Sequence, residues 1–147
     1  DDTTVDHVAQ SARHGAQFAE FPTTVDAAAA CRQHGIAVMM GAPNLIRGGS
    51  HSGNVAAKAL AEAGLLDIIS SDYVPSSLLS AALMLGDIWG DLARGVATVS
   101  RAPAQAAGLT PTREVRAATA SGYVMLLVWL LLFGVAIWAA ATIPTTG

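Results

Sequence analysis

Asp72 follows the short run Leu65–Ser70 after one further serine and precedes Tyr73-Val74-Pro75, so its carboxylate is left at the mouth of whatever that run builds. A carboxylate so placed can bind a divalent metal or take a proton from metal-bound water. It can equally be a turn aspartate or a helix N-cap, and position alone does not separate these roles. A second chemical segment is Arg47-Gly48-Gly49-Ser50-His51-Ser52-Gly53-Asn54. Its glycines admit a ligand close to the backbone, and Arg47, Ser50 and Ser52 offer donors. A helix starting near Asn54 would present free N–H groups to an anion, and phosphate is the ligand that suits this pattern. His51 can ligate a metal or shuttle a proton near neutral pH, or serve only as a hydrogen-bonding loop residue. Glu20, ahead of Phe21-Pro22, can face the same mouth or end its strand in solvent. No His-x-His or His-x-x-Glu-His pairing occurs in the chain, so by spacing alone the metal-ligand set is incomplete.

The elements that must position these residues follow a threefold alternation of helix, glycine and short apolar run. Val5–His14 stops at Gly15 and leads into Ala16–Phe21, Thr24–His34 stops at Gly35 and leads into Ile36–Met40, and Asn54–Ala63 stops at Gly64 and leads into Leu65–Ser70. A glycine just past a helix supplies the left-handed residue that caps its last carbonyls, and each following run has the length of a buried parallel strand. Thr24 and Asn54 are the expected N-caps of their helices. The stretches after the strands, including all of Gly41–Asn54, read as loops at the carboxyl ends of a parallel sheet, where such folds gather their functional groups. Beyond Pro75 the pattern is helical: Ser76–Leu85, Gly90–Ser100 and a turn at Pro103–Ala107. His7, His14 and His34 lie on helices and carry no assigned chemistry, and Cys31, among alanines, reads as a small buried hydrophobe.

The composition is divided. The 19 charged residues all fall between Asp1 and Arg116, leaving the last 31 residues without a charge. A net charge of -3 with scattered cations gives no footprint for nucleic acid. One cysteine excludes an internal disulfide framework and fits a reducing compartment. A first residue of Asp and the lack of a leader pattern lead us to expect a piece of something longer.

Five ordered stretches carry a family resemblance: Asp1-Asp2-Thr3-Thr4, Ala19-Glu20-Phe21-Pro22-Thr23-Thr24, Met40-Gly41-Ala42-Pro43-Asn44, Arg47–Asn54 and Ser70-Ser71-Asp72-Tyr73-Val74-Pro75. With them, residues 1–109 resemble the carboxyl-terminal part of the alpha-D-ribose 1-methylphosphonate 5-triphosphate diphosphatases, amidohydrolase-superfamily enzymes of phosphonate breakdown. The resemblance implies an α/β fold, here a partial (β/α)8 metal-dependent hydrolase barrel, and release of pyrophosphate from a phosphorylated ribose phosphonate. It implies zinc or manganese in the complete enzyme, with Asp72 as metal ligand and catalytic base; His51 and Glu20 are the further candidate ligands that the residues themselves offer. Arg47, Ser50, His51 and Asn54 would bind substrate. The His-x-His half of the site is missing, so the fragment is expected to be inactive by itself and not to retain the metal. A protein partner could complete or cover the barrel.

Thr110 to Gly147 departs from that family. Residues 110–122 read as a linker, Tyr123–Ile143 as a transmembrane helix and residues 144–147 as a short tail. Twenty-one uncharged residues at a 1.5 Å rise span roughly 30 Å, the thickness of a bilayer core. Arg113 and Arg116 beside it put the α/β part on the cytoplasmic side of an inner membrane in a single-pass arrangement, with lipid as a partner. The competing functional reading is a non-catalytic, membrane-anchored accessory subunit.

Overall fold

The computed structural model describes residues 2–50 and 52–109. Helix α1 (Val5–Arg13) opens where the Thr4 hydroxyl accepts the His7 N–H at 3.3 Å, and strand β1 (Phe18–Glu20) follows. Helix α2 (Val25–Gln33) opens the same way, with the Thr24 hydroxyl accepting from the Ala27 amide at 3.1 Å, and leads into β2 (Ala37–Gly41). Helices α3 (Ala42–Arg47) and α4 (Ala57–Glu62) precede β3 (Ile68–Ser70). Three further helices close the described chain: α5 (Ser77–Trp89), α6 (Leu92–Ala97) and α7 (Arg101–Ala106). Gly15, Gly35 and Gly64 take φ of 76°, 69° and 70°, the left-handed backbone that ends each helix of the repeat.

The three strands form one parallel sheet in the order β1-β2-β3. Partners across the ladder point to the same side. Ala19 with Val38, and Met40 with Ile69, therefore turn to one face, and these four belong to the core with Val8, Ala28, Cys31, Leu45, Leu60 and Leu85. The other face carries Phe18, which is 44% exposed, and the exposed Glu20. Strand β3 starts at Ile68 rather than Leu65 for a polar reason. The Asp67 carboxylate accepts the Val38 N–H through one oxygen and the Arg32 guanidinium through the other, both at 2.9 Å, so Asp67 serves as a bridge at the start of the strand.

Two expectations are corrected here. The fold is α/β with a small parallel sheet, in place of a partial (β/α)8 barrel followed by a transmembrane helix. Among the described residues no helix is long and apolar enough to cross a membrane. The longest, α5, has 13 residues, and at 1.5 Å per residue it reaches only about two thirds of a bilayer core. The segment expected to span, 123–143, lies outside the described residues. The single-pass inner-membrane localisation is corrected with the span, and the lipid contact and membrane-anchored accessory subunit that depended on it have no support among the described residues. The stretch Gly41–Asn54 is also not all loop. Pro43 in the first turn and Gly48 at φ 81° after the last turn bracket the six-residue helix α3.

Behind the sheet, α5 and α6 cross at glycines. An added Cβ at Gly95 would collide with the Ala82 carbonyl oxygen and lie 2.6 Å from the Gly86 nitrogen, both backbone atoms that cannot swing aside. Arg94 of α6 sits with its guanidinium 3.8 Å over the Trp89 ring of α5, and the Trp89 indole N–H ties α5 to α4 by donating to the Ala61 carbonyl at 2.9 Å.

Gly95→Ala is expected to lower stability by about 1–3 kcal/mol despite its better helix propensity, read as a fall in urea midpoint. Gly49→Ala, where nothing lies within 4 Å of the new Cβ, should stay within about 0.5 kcal/mol.

Cys31 generates a second expectation. Burial, with the Asp2 carboxylate adding to it, pushes its thiol from 9.0 to about 11. A folded pKa above the unfolded one stabilises the fold below pH 9, and that contribution is lost as pH rises from 9 to about 11. The native thiol should therefore resist alkylation at pH 8 while the urea-unfolded chain reacts. Cys31→Ala should remove part of the alkaline fall in stability, and equal labelling of native and unfolded chains would contradict this account.

Candidate functional site

The close approach that organises the site is at Gly41, the last residue of the middle strand. A Cβ there would lie 2.9 Å from Asp72 Oδ2 and 3.1 Å from Phe21 Cε1. Phe21 follows β1 and Asp72 comes two residues after β3, and these two are the non-glycine residues with left-handed backbone among those described, at φ of 54° and 51°. Both flanking strands thus end by turning their next side chains over β2. Such backbone costs of order 1–3 kcal/mol per residue, a cost that surrounding structure must offset. For Phe21 part of that support is its N–H bond to the Met39 carbonyl at 2.9 Å.

This arrangement puts Asp72 on a cavity of about 230 Å³ at the carboxyl ends of the strands. Phe21, Pro22 and Met40 make its apolar side; Asn44, Arg47, Ser50, Ser52, Asn54 and Tyr73 make its polar side. Arg47, the last residue of α3, crosses to the turn after β3, where its Nη1–H donates to the Tyr73 hydroxyl oxygen at 2.7 Å. The Ser50 hydroxyl accepts the Ser52 N–H at 3.1 Å and holds that loop against itself.

Of the residues expected to form the site, Asp72, Arg47, Ser50 and Asn54 come together on this cavity. Glu20 does not line it; its carboxylate lies exposed at the end of β1. His51 is outside the described residues. Asn54 does not begin a helix, because α4 starts at Ala57 behind Ala56, and the expected free amides are not at Asn54. The reason is Asn44, to which the sequence assigns no role. Its Oδ1 accepts the Ala57 N–H at 2.9 Å, and its Nδ2 donates to the Val55 carbonyl at 3.5 Å. Asn44 therefore caps α4 from 13 residues upstream, and no local pattern announces a cap that distant.

A resident divalent ion needs several oxygen, nitrogen or sulfur ligands. Among the described residues, Asp72 is the sole carboxylate on this cavity, and no group of three or more His, Cys, Asp or Glu residues is arranged to hold a metal ion. The described donor set does not fit such an ion.

A parallel sheet whose strand-end loops bring a carboxylate, a guanidinium, hydroxyls and an amide onto one cavity defines the chain as an α/β unit with a polar ligand site. Comparison with known proteins gives the likeness a particular form. The chain is 56% identical over 112 residues to the alpha-D-ribose 1-methylphosphonate 5-triphosphate diphosphatase of Escherichia coli strain K12. The match covers 74% of this chain and 30% of that relative, so the chain spans less than a third of the relative's length. No protein-family model matches the chain, and no solved structure does.

Asn44→Ala is expected to strip the Ala57 amide of its acceptor and destabilise the chain by about 1–3 kcal/mol. Hydrogen exchange at the Ala57 amide should accelerate more than exchange in α1, and uniform acceleration would place the loss elsewhere.

Proposed function

We propose that this chain supplies the oligophosphate-binding side of a phosphoric-anhydride hydrolase, as the carboxyl-terminal part of an enzyme like the diphosphatase it resembles. The substrate class is a ribose 5-triphosphate bearing a 1-methylphosphonate. One observation carries this reading: Asp72 shares its cavity with Arg47, Ser50, Ser52 and Asn54, a single carboxylate beside a set of donors. A guanidinium meets phosphate oxygens with paired N–H groups, and hydroxyl and amide donors extend that reach along a polyphosphate chain. By the resemblance to that diphosphatase, His51 is assigned a substrate-binding role together with Arg47, Ser50 and Asn54.

In a hydrolysis that releases pyrophosphate, a water oxygen bonds to the phosphorus nearest the ribose. The bond from that phosphorus to the bridging oxygen breaks, and pyrophosphate carries away its electron pair. Asp72 is the residue assigned to accept the proton of the attacking water, the role its position at the strand end supports. The described ligands do not fit a resident zinc or manganese ion. The chain alone then binds without turnover.

Calorimetric titration with inorganic pyrophosphate at fixed ionic strength tests the reading. Wild-type chain should bind saturably, and Arg47→Ala should weaken binding about tenfold or more, the effect of losing hydrogen bonds from a charged donor. Absence of saturable binding, or equal binding by the variant, would overturn it.

A further inference from the structure

Phe21 lines the cavity but has no part in the phosphate chemistry assigned to its neighbours. Its placement runs against ordinary strand geometry. Glu20 pairs with Met39 on the face away from the core, so one more residue of regular pleat would send Phe21 to the side of Met40, which is the core. The left-handed backbone at φ 54° turns it the other way. Its ring comes to lie over Gly41, with Cε1 3.1 Å from where a Cβ would stand. A bulky side chain at positive φ is a genuine outlier. Burial does not account for it, since Phe21 stays only partly buried. Strain of this kind is held in place by surrounding structure, and it concentrates at ligand sites.

The cavity itself is two-sided. Phe21, Pro22 and Met40 make one side of it apolar, while its polar residues bear the donors. A bare polyphosphate, charged all round, would leave the apolar side without a partner. A pentose phosphate would not, because each face of a furanose carries C–H groups between its hydroxyls and the phosphate stands at one end. At about 230 Å³ the cavity is below the roughly 300–1,000 Å³ of pockets that bury drug-sized ligands, which favours a pentose phosphate over a nucleotide carrying its base.

We propose that Phe21 is the specificity-determining residue of this site, its ring a platform for the C–H face of a pentose whose phosphate end meets the donors. The proposal rests on the oligophosphate reading for that phosphate end and adds to it the residue that selects the sugar. Phe21→Leu removes the ring and keeps apolar bulk. Phe21→Asn also removes the ring, and asparagine tolerates the left-handed backbone, so the fold is kept if leucine disturbs it.

The test titrates wild type and both variants with ribose 5-phosphate and with inorganic pyrophosphate, and measures proton cross-relaxation between the phenylalanine rings and the sugar C–H groups. The chain has 3 phenylalanines, so the ring signals missing from Phe21→Leu are those of Phe21. Both variants should bind ribose 5-phosphate about threefold to tenfold more weakly, the effect of losing one aromatic contact. Their pyrophosphate affinity should stay within about twofold of wild type, and the Phe21 ring of wild type should cross-relax with the sugar protons. Ribose 5-phosphate bound equally by all three chains, or not bound by wild type, would overturn the role of Phe21 while pyrophosphate binding leaves the oligophosphate site standing. Equal weakening toward both ligands would overturn the selection of sugar. Wild type that binds ribose 5-phosphate against Phe21 but no pyrophosphate would overturn the oligophosphate reading alone, and binding of neither would overturn both.

Discussion

The absence of a side chain at Gly41 is the constraint on which the site depends. The end of β2 has room above it only because no Cβ is there, and Phe21 and Asp72 fill that room from either side. Their left-handed backbones are the consequence: each chain must turn sharply back over its neighbour instead of continuing the pleat. Once Asp72 is fixed this way, the turn behind it places Tyr73 on the cavity wall, where Arg47 reaches it. The cavity is therefore a product of three strand ends closing on one glycine.

The loops that line this cavity are tied down by polar bonds reaching across the chain. Asn44 holds the start of α4, and the Thr23 carbonyl accepts the Val55 N–H at 3.0 Å; at the other end of the sheet Asp67 joins α2 to the strand ladder. Beneath them, α5 and α6 approach through glycine, so the helical layer is set by backbone contact and not by interdigitating large side chains.

A single carboxylate with one guanidinium and several neutral donors can orient phosphates and accept a proton from water. The described donors alone do not assemble a metal site. The chain spans 30% of the relative it resembles, and the rest of that relative's length has no counterpart in the match.

Much of the fold was legible in the order of residues because its signals are local. Thr24 caps α2, glycines end the repeated helices, and short apolar runs alternate with them; all of these depend on neighbours a few positions apart. The same local reading failed where a distant group intervened. It extended β3 back to Leu65 because Asp67 reveals its purpose only beside Arg32 and Val38, and it began a helix at Asn54 because the true cap, Asn44, lies on another element. It passed over α3, although Pro43 and Gly48 bracket it. The residue types of the site, Asp72, Arg47, Ser50 and Asn54, were visible in the sequence. That Asp72 rests over Gly41 and that Tyr73 pairs with Arg47 was decided only by tertiary structure, since both depend on which strand ends become neighbours in the sheet.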